Sequence, residues 1–151
     1  MLHVALWEPE IPPNTGNVAR LCAATGTTLH LIGRLGFRLD DRSLRRAGLD
    51  YWPDVTYRLH TSLDEFEQAL AANRLVCLSA RVQRPYTDFA FQSGDCLLFG
   101  SESHGLPPGL LERHAERALC IPMPAGKVRS LNLATAVGIV LYEALRQLRC
   151  W

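Results

Sequence analysis

Short apolar runs alternate along the chain with segments in which apolar residues recur at helical spacing. The runs predict strands at 2–7, 28–33, 55–59, 74–80, 95–100 and 118–122. The helical patterns lie at 17–25, 40–48, 62–72, 107–115 and 130–148. Because most runs lack strict alternation of apolar and polar residues, their strands should be covered on both faces. The pattern therefore predicts an α/β domain with a mostly parallel sheet flanked by helices.

Local signals mark some helix ends. Gly26 is expected to end the first helix, and Ser62 with Glu65 three residues later forms a capping-box pattern at the start of 62–72. The segment 81–94 has the least regular pattern and is expected to cross the surface.

The last helical segment, 130–148, is apolar around nearly its whole circumference. Such a helix must be buried on more than one side. One explanation is a central core helix in a monomer. The other, which we favour because terminal helices of small α/β domains usually lie on a face, is a homodimer formed through this helix.

Length and composition limit the classes of protein to consider. The 151 residues suit one domain, 1–151, and the net charge of +1 excludes a strongly basic nucleic-acid binder. The five cysteines are scattered, form no CxxC pair and do not combine with the histidines at metal-ligand spacing, so we expect reduced thiols, a cytoplasmic protein and no metal. We also expect no signal peptide and no membrane span.

The first candidate cluster follows the first strand and reads NTGNVAR, 14–20. Gly16 is expected to allow a positive φ in a tight turn, and Asn14 or Asn17 to cap the helix that follows. Arg20 would then lie one turn into that helix. A capped helix with a solvent-exposed arginine explains the same residues.

The second cluster reads LFGSESHGLP, 98–107, at the end of another strand. Its glycine spacing is similar to that of a phosphate loop, but Leu106 and Pro107 replace the required Lys and Ser/Thr, and Glu102 would repel a phosphate. The loop is therefore suited to a ligand with a positive or hydroxyl-bearing part. A plain turn between strand and helix is the alternative.

The third cluster runs from Cys120 to Leu133, through a loop that contains Pro and Gly. Ser130 is expected to be the N-cap of the last helix. Asn132, in the first turn of an apolar helix, requires a polar partner.

Together, the three clusters resemble the three motifs of the SPOUT superfamily of RNA 2′-O-methyltransferases, in order and over nearly the whole chain. The segments EPEIPPNTGN (8–17), LRRAGLDYW (44–52) and VLYEALRQL (140–148) are similar to its TrmL (YibK-like) branch, which acts on the wobble nucleotide of tRNA.

This resemblance implies a C-terminal trefoil knot, S-adenosyl-L-methionine as cofactor, a tRNA substrate and a homodimer. Arg20 matches the catalytic arginine of the family. The residues expected to bind the cofactor are Leu78, Gly100, Glu102, Gly105, Ile121, Met123, Ser130 and Leu131.

Substrate contacts are expected from amide side chains and from arginines that can meet phosphates. These are Asn14, Asn17, Arg42, Arg45, Arg46, Arg129 and Asn132. The Arg42–Arg46 group is equally explained as a solvated basic face.

The resemblance thus implies methylation of the ribose 2′-oxygen of the wobble cytidine or modified uridine. Methylation at another tRNA or rRNA site and a catalytically silent RNA-binding dimer remain as alternatives.

Overall fold

The computed structural model describes residues 1–47 and 51–151. Its strands are β1 (His3–Trp7), β2 (Thr28–Ile32), β3 (Tyr57–His60), β4 (Leu75–Leu78), β5 (Cys96–Phe99) and β6 (Ala118–Leu119). Its helices are α1 (Pro12–Thr25), α2 (Arg42–Ala47), α3 (Leu63–Ala69), α4 (Pro108–Arg113) and α5 (Leu133–Gln147). Short 3₁₀ turns lie at Trp52–Asp54, Tyr86–Asp88 and Ala115–Arg117.

The six strands form one sheet in the order β3-β2-β1-β5-β4-β6, and every strand pair is parallel. The chain first builds outward from β1 to β3 and then crosses to the other side of β1, where β5 lies next to β1 and β4 lies beyond β5. This reversal places a topological switch point between β1 and β5, and the carboxyl edge at such a point is where open α/β sheets bind ligands.

Helices cover both faces of the sheet, as the apolar runs predict. One buried cluster joins Val4 and Leu6 of β1 to Val18 of α1 and Val137 and Leu141 of α5. The other joins the opposite face of the strands to apolar residues of α3 and α4, among them Phe66 and Leu110. The predicted α/β class and parallel sheet are confirmed, whereas the trefoil knot stays a prediction.

The start of the first helix differs from the prediction. Helix α1 begins at Pro12, so Asn14 and Asn17 lie inside it, and the expected turn at Gly16 with a positive φ and its Asn cap is wrong. The physical reason is the Pro12-Pro13 pair, which lacks two amide hydrogens that a helix start leaves unpaired anyway. Gly26, with φ +68°, ends the helix as predicted.

The start of the last helix also differs. Ser130 lies outside α5, and the N-cap is Asn132, whose Oδ1 accepts from the Thr135 amide at 3.1 Å. Asn132 therefore satisfies one of the amides that a helix start leaves without a partner. The capping role predicted for Ser130 is wrong.

The remaining predicted features are present in shorter form or lie partly outside the described residues. The helix predicted at 40–48 is α2, and Gly48 at its end falls outside the described residues together with part of the 44–52 motif. The N-cap predicted at Ser62 is confirmed, since its hydroxyl accepts from the Glu65 amide, whereas the Glu65 carboxylate accepts from Thr61 and so does not complete the predicted capping box. Among the described helices, none is both long and apolar enough to cross a membrane.

Candidate active site

Four loops at the carboxyl edge of the sheet enclose a cavity of about 670 Å³, a size usual for small-molecule sites. The loops follow β1, β4, β5 and β6, so the parallel sheet itself brings them together. All eight residues predicted to bind the cofactor line this cavity: Leu78, Gly100, Glu102, Gly105, Ile121, Met123, Ser130 and Leu131.

The loop after β5 needs both of its glycines. Gly100 lies so close to the returning chain that an added Cβ would stand 2.1 Å from the carbonyl carbon of Gly105. Gly105 has φ +67° and pairs with Ser101 in an antiparallel bridge. The chain therefore folds back on itself within a few residues, which exposes its backbone groups along one wall of the cavity.

The other walls are largely apolar. Leu78 and Phe99, at the carboxyl ends of β4 and β5, are buried beneath the cavity, while Ile121, Leu131 and Leu133 line it from the last loop. A flat aromatic ligand can pack on such walls, and the backbone groups of the loops can pair with its polar edge.

Glu102 faces the start of α1. Its carboxylate accepts hydrogen bonds from the backbone amides of Glu10 at 2.9 Å and Ile11 at 2.8 Å, and from the Asn14 side chain at 3.2 Å. A negative charge is stabilised there by the free amides of a helix start. Glu102 thus lines the cavity, but its charge is directed to the protein's own backbone.

A second carboxylate makes the reverse contact. Glu10 accepts from the hydroxyl and the amide of Ser103, at 2.6 and 2.8 Å. These hydrogen bonds, the hydroxyl's first and then the amide's, lower the pKa of the Glu10 carboxyl. The segment before α1 and the loop after β5 are therefore joined by bonds in both directions.

Asn14 extends this connection to the last helix. The side chain is buried, donates to Glu102, and accepts from the Asn132 side chain at 2.9 Å. Because Asn132 also caps α5, one hydrogen-bonded row links the loop after β5 with α1 and α5. Asn14 and Asn132, two of the three amides predicted as substrate contacts, also line the cavity.

Arg20 lies outside the cavity. Its side chain is exposed on α1 and lines a neighbouring groove between α1 and α5, together with Asn17, Leu21 and Ile139. Asn132 lines both the groove and the cavity. The predicted catalytic arginine therefore lies in a groove that shares one lining residue, Asn132, with the cavity.

The arginines predicted to contact substrate divide into three environments. Arg129 is exposed and lines the cavity. Arg42 and Arg46 are exposed on α2, which packs against α1. Arg45 is partly buried, donates to the Leu39 carbonyl at 2.9 Å and covers the ring of Trp52, so part of its role is structural.

Several residues that line the cavity are absent from the sequence-based prediction. They are Ile11, Ser79, Ala80, Arg81, Phe99, Ser101, Ser103, Leu133 and Ala136. Arg81 closes one side by donating to the His104 carbonyl at 3.0 Å. Residues 79–81 directly follow a buried strand, and this position could have indicated from the sequence that they belong to the site.

Within residues 1–47 and 51–151, no group of three or more His, Cys, Asp or Glu side chains could hold a metal ion.

Comparison with known families gives a match over most of the chain. A family model described as the SpoU rRNA Methylase family matches residues 1–142. The tRNA (cytidine(34)-2′-O)-methyltransferase of Burkholderia pseudomallei is 49% identical over 97% of this chain and 96% of its own length. The protein of the same name from Escherichia coli K12 is 46% identical over 98% and 94%, respectively.

Solved structures agree with these sequence matches. A structure described as giving structural insights into the 2-OH methylation of C/U34 on tRNA has a TM-score of 0.94, is 54% identical, and the alignment covers 100% of this chain and 98% of that one. The SpoU methyltransferase AviRb from Streptomyces viridochromogenes, in complex with the cofactor AdoMet, has a TM-score of 0.88 at 26% identity, covering 100% and 62%.

Proposed function

This chain belongs to the SpoU rRNA Methylase family, and we propose that it is a tRNA methyltransferase that transfers a methyl group from S-adenosyl-L-methionine to the ribose 2′-oxygen of the wobble nucleotide. The relatives matched over nearly their full length are 2′-O-methyltransferases of cytidine 34. The observation that carries the proposal is the single cavity lined by all eight residues of the expected cofactor site, with Arg20 in the adjoining groove.

The cavity residues fit the cofactor. Leu78, Ile121 and Leu131 offer apolar surface for an adenine ring, and the tight Gly100–Gly105 return offers backbone groups for its polar atoms. When bound, the cofactor supplies an electrophilic methyl group. Glu102 is hydrogen-bonded to the start of α1. We therefore propose that it fixes the shape of the loop and makes the electrostatic potential of the cavity wall negative.

Arg20 is the residue proposed to act on the ribose. A guanidinium stays protonated, so it is a poor general base. It can instead hold the 2′-oxygen or the adjacent phosphate and stabilise the negative charge that develops as the oxygen attacks. Orienting the two reactants is the second contribution that the site must make.

Contacts with tRNA are proposed for Arg42 and Arg46, exposed on the helix α2 that packs against α1, and for Arg129, exposed in the lining of the cavity. Asn17, exposed beside Arg20, is proposed to contact the same RNA. Because phosphate contacts release counterions, RNA binding should weaken steeply with salt.

We propose a single domain that works in the cytoplasm as a homodimer formed through α5. In one chain, Ala134, Gly138 and Ile139 of α5 remain partly uncovered and face the groove beside α1. A second copy that packs on this face of α5 would bury the apolar surface, would leave Arg20 and Asn17 of α1 open to RNA, and would combine two sets of basic residues around one tRNA.

Mass mapping of ribose-methylated nucleosides in tRNA from a deletion strain tests the function. We expect loss of the 2′-O-methyl group at position 34 and its return on complementation. Loss at another position would assign a different target. No loss, together with no binding of S-adenosylhomocysteine in calorimetry, would support a silent RNA-binding protein.

A further inference from the structure

Tyr51 is an aromatic residue beside the proposed catalytic arginine. Its side chain is 43% exposed, and the guanidinium of Arg20 lies over its ring, 5.9 Å from the centroid. This distance is within the range of cation–π contacts. The exposed part of the Tyr51 ring, beside the proposed catalytic arginine, is therefore free to contact a ligand.

The backbone on which Tyr51 stands is well anchored. The next residue, Trp52, is only 6% exposed, and its ring packs edge-on against Tyr57 at 5.4 Å and beneath the Arg45 guanidinium at 5.0 Å. The Tyr51 carbonyl accepts from the Asp54 amide at 2.8 Å as the 3₁₀ turn begins. Trp52 therefore fixes the segment from inside while Tyr51 is directed outward.

The charge around Tyr51 suits RNA. Arg20 lies against the ring, and Arg42 and Arg46 are exposed on α2, the helix that packs against α1. Aromatic rings flanked by arginines are the usual surface on which proteins stack unpaired nucleobases.

We infer that Tyr51 is the stacking surface for the pyrimidine base of the target nucleotide, an inference that rests on the proposed function. A nucleotide in a stacked loop must leave the stack before its ribose can reach a methyl donor in the cavity. Its base then needs a new stacking partner. Base and 2′-oxygen belong to one nucleotide, so a base on Tyr51 brings its ribose to Arg20. Tyr51 thereby selects a nucleotide that can unstack.

The test uses the full-length protein, S-adenosylhomocysteine and an anticodon stem-loop RNA that carries the fluorescent base pyrrolocytidine at position 34. We expect the wild type and Tyr51→Phe to quench the fluorophore on binding, because both provide an aromatic face. Tyr51→Leu and Tyr51→Ala should leave it bright and raise the KM for RNA about tenfold or more. The affinity for S-adenosylhomocysteine should not change, because Tyr51 does not line the cavity.

The matched control is Tyr57→Ala, which removes a ring of similar exposure, 37%, from the same aromatic group. It should leave quenching and KM unchanged. Equal losses in Tyr57→Ala and Tyr51→Ala would assign the effect to the packing of Trp52 and overturn the inference. Quenching that Tyr51→Leu retains, or a Tyr51→Ala protein that loses its dimeric mass in sedimentation, would also overturn it.

Failure of the proposed function is distinguishable from failure of this inference. If the wild type does not methylate position 34 of the unmodified stem-loop, the proposed function is wrong. If the wild type methylates it and Tyr51→Ala does so with unchanged KM, only the role of Tyr51 is wrong.

Discussion

Arg20 combines exposure with a fixed position on a helix. It is exposed on α1 and lines the groove rather than the cavity that we propose for the cofactor. A side chain in this position can reach an incoming RNA without contributing to cofactor affinity. Removal of the Arg20 side chain should therefore lower turnover and leave the affinity for the cofactor unchanged.

Replacing Arg20 with Ala should lower turnover by about 100-fold or more, the usual cost of removing a group that stabilises developing charge. Arg20→Lys should retain part of the rate, because it keeps the charge but loses the planar fork. Single-turnover methyl transfer measures the rate, and calorimetry with S-adenosylhomocysteine should give unchanged affinity. Near-normal turnover in the Ala variant would refute the assignment.

Gly100 and Gly109 form a matched pair of glycines. Gly100→Ala should abolish cofactor binding, because its Cβ would collide with backbone at 2.1 Å. A Cβ on Gly109, in α4, meets nothing within 4 Å, so Gly109→Ala should be neutral or stabilising by up to about 1 kcal/mol. Calorimetry and urea denaturation compare the two. Normal cofactor affinity in Gly100→Ala would contradict the described loop.

Eight residues of the cavity could be named in advance because the three motifs resemble those of a known family, and the loops that carry them directly follow apolar strands. The partners of their polar groups could not. Glu102 bonds to amides more than 90 positions away in sequence, and no local pattern encodes that distance. Ser79 and Arg81 lacked a motif and became part of the site only through the position of β4 in the sheet.

At the scale of elements, three strands carry a hydrogen-bonded row of histidines. His3 Nδ1 lies 3.0 Å from His30 Nε2, and His30 Nδ1 lies 2.9 Å from His60 Nε2. Burial lowers the pKa of all three, that of His30 to about 3, and the nearby Arg58 lowers them further. The N-terminal amino group lowers the pKa of His3, while Glu65 raises that of His60 in opposition.

This row should make stability depend on pH. The folded-state pKa values lie below the unfolded value of 6.5, so the unfolded chain binds more protons in acid. The contribution is fully present above pH 6.5 and is lost as the pH falls below it. Urea denaturation from pH 8 to 5 should show a decline approaching about 1.4 kcal/mol per pH unit for each excess proton.

His30→Gln provides the control, since glutamine can bond to both neighbours but does not titrate. Its stability should change less over the same range. A wild-type stability that is constant from pH 8 to 5 would refute the role of the histidine row.

The strands and most helices were predictable because their burial follows the apolar pattern. The exceptions are helix starts. Helix α1 begins at Pro12, where the composition favoured a cap at Asn14 or Asn17. Helix α5 is capped by Asn132, where the composition favoured Ser130. Several residues near each start are compatible with capping, and the choice among them depends on tertiary bonds such as Asn132 to Asn14.

At the scale of the whole molecule, the uncovered face of α5 around Ile139 should be the contact between two copies, with Arg20 on α1 left accessible to RNA. Ile139→Arg should yield a folded monomer, because a charge would replace apolar surface that a partner covers. Sedimentation equilibrium measures the mass, and Glu112→Lys, an exposed change on α4, should remain dimeric. A monomeric wild type, or a dimeric Ile139→Arg protein, would contradict this interface.

The proposed function requires that the 2′-oxygen of nucleotide 34 receives the methyl group. The most direct measurement compares methyl transfer by the purified protein to two anticodon stem-loops that differ only by cytidine or 2′-deoxycytidine at position 34. We expect transfer to the cytidine RNA, with 2′-O-methylcytidine at that position in the digest, and none to the deoxy RNA. Equal transfer to both, or a methyl group on a base, would contradict the proposed function.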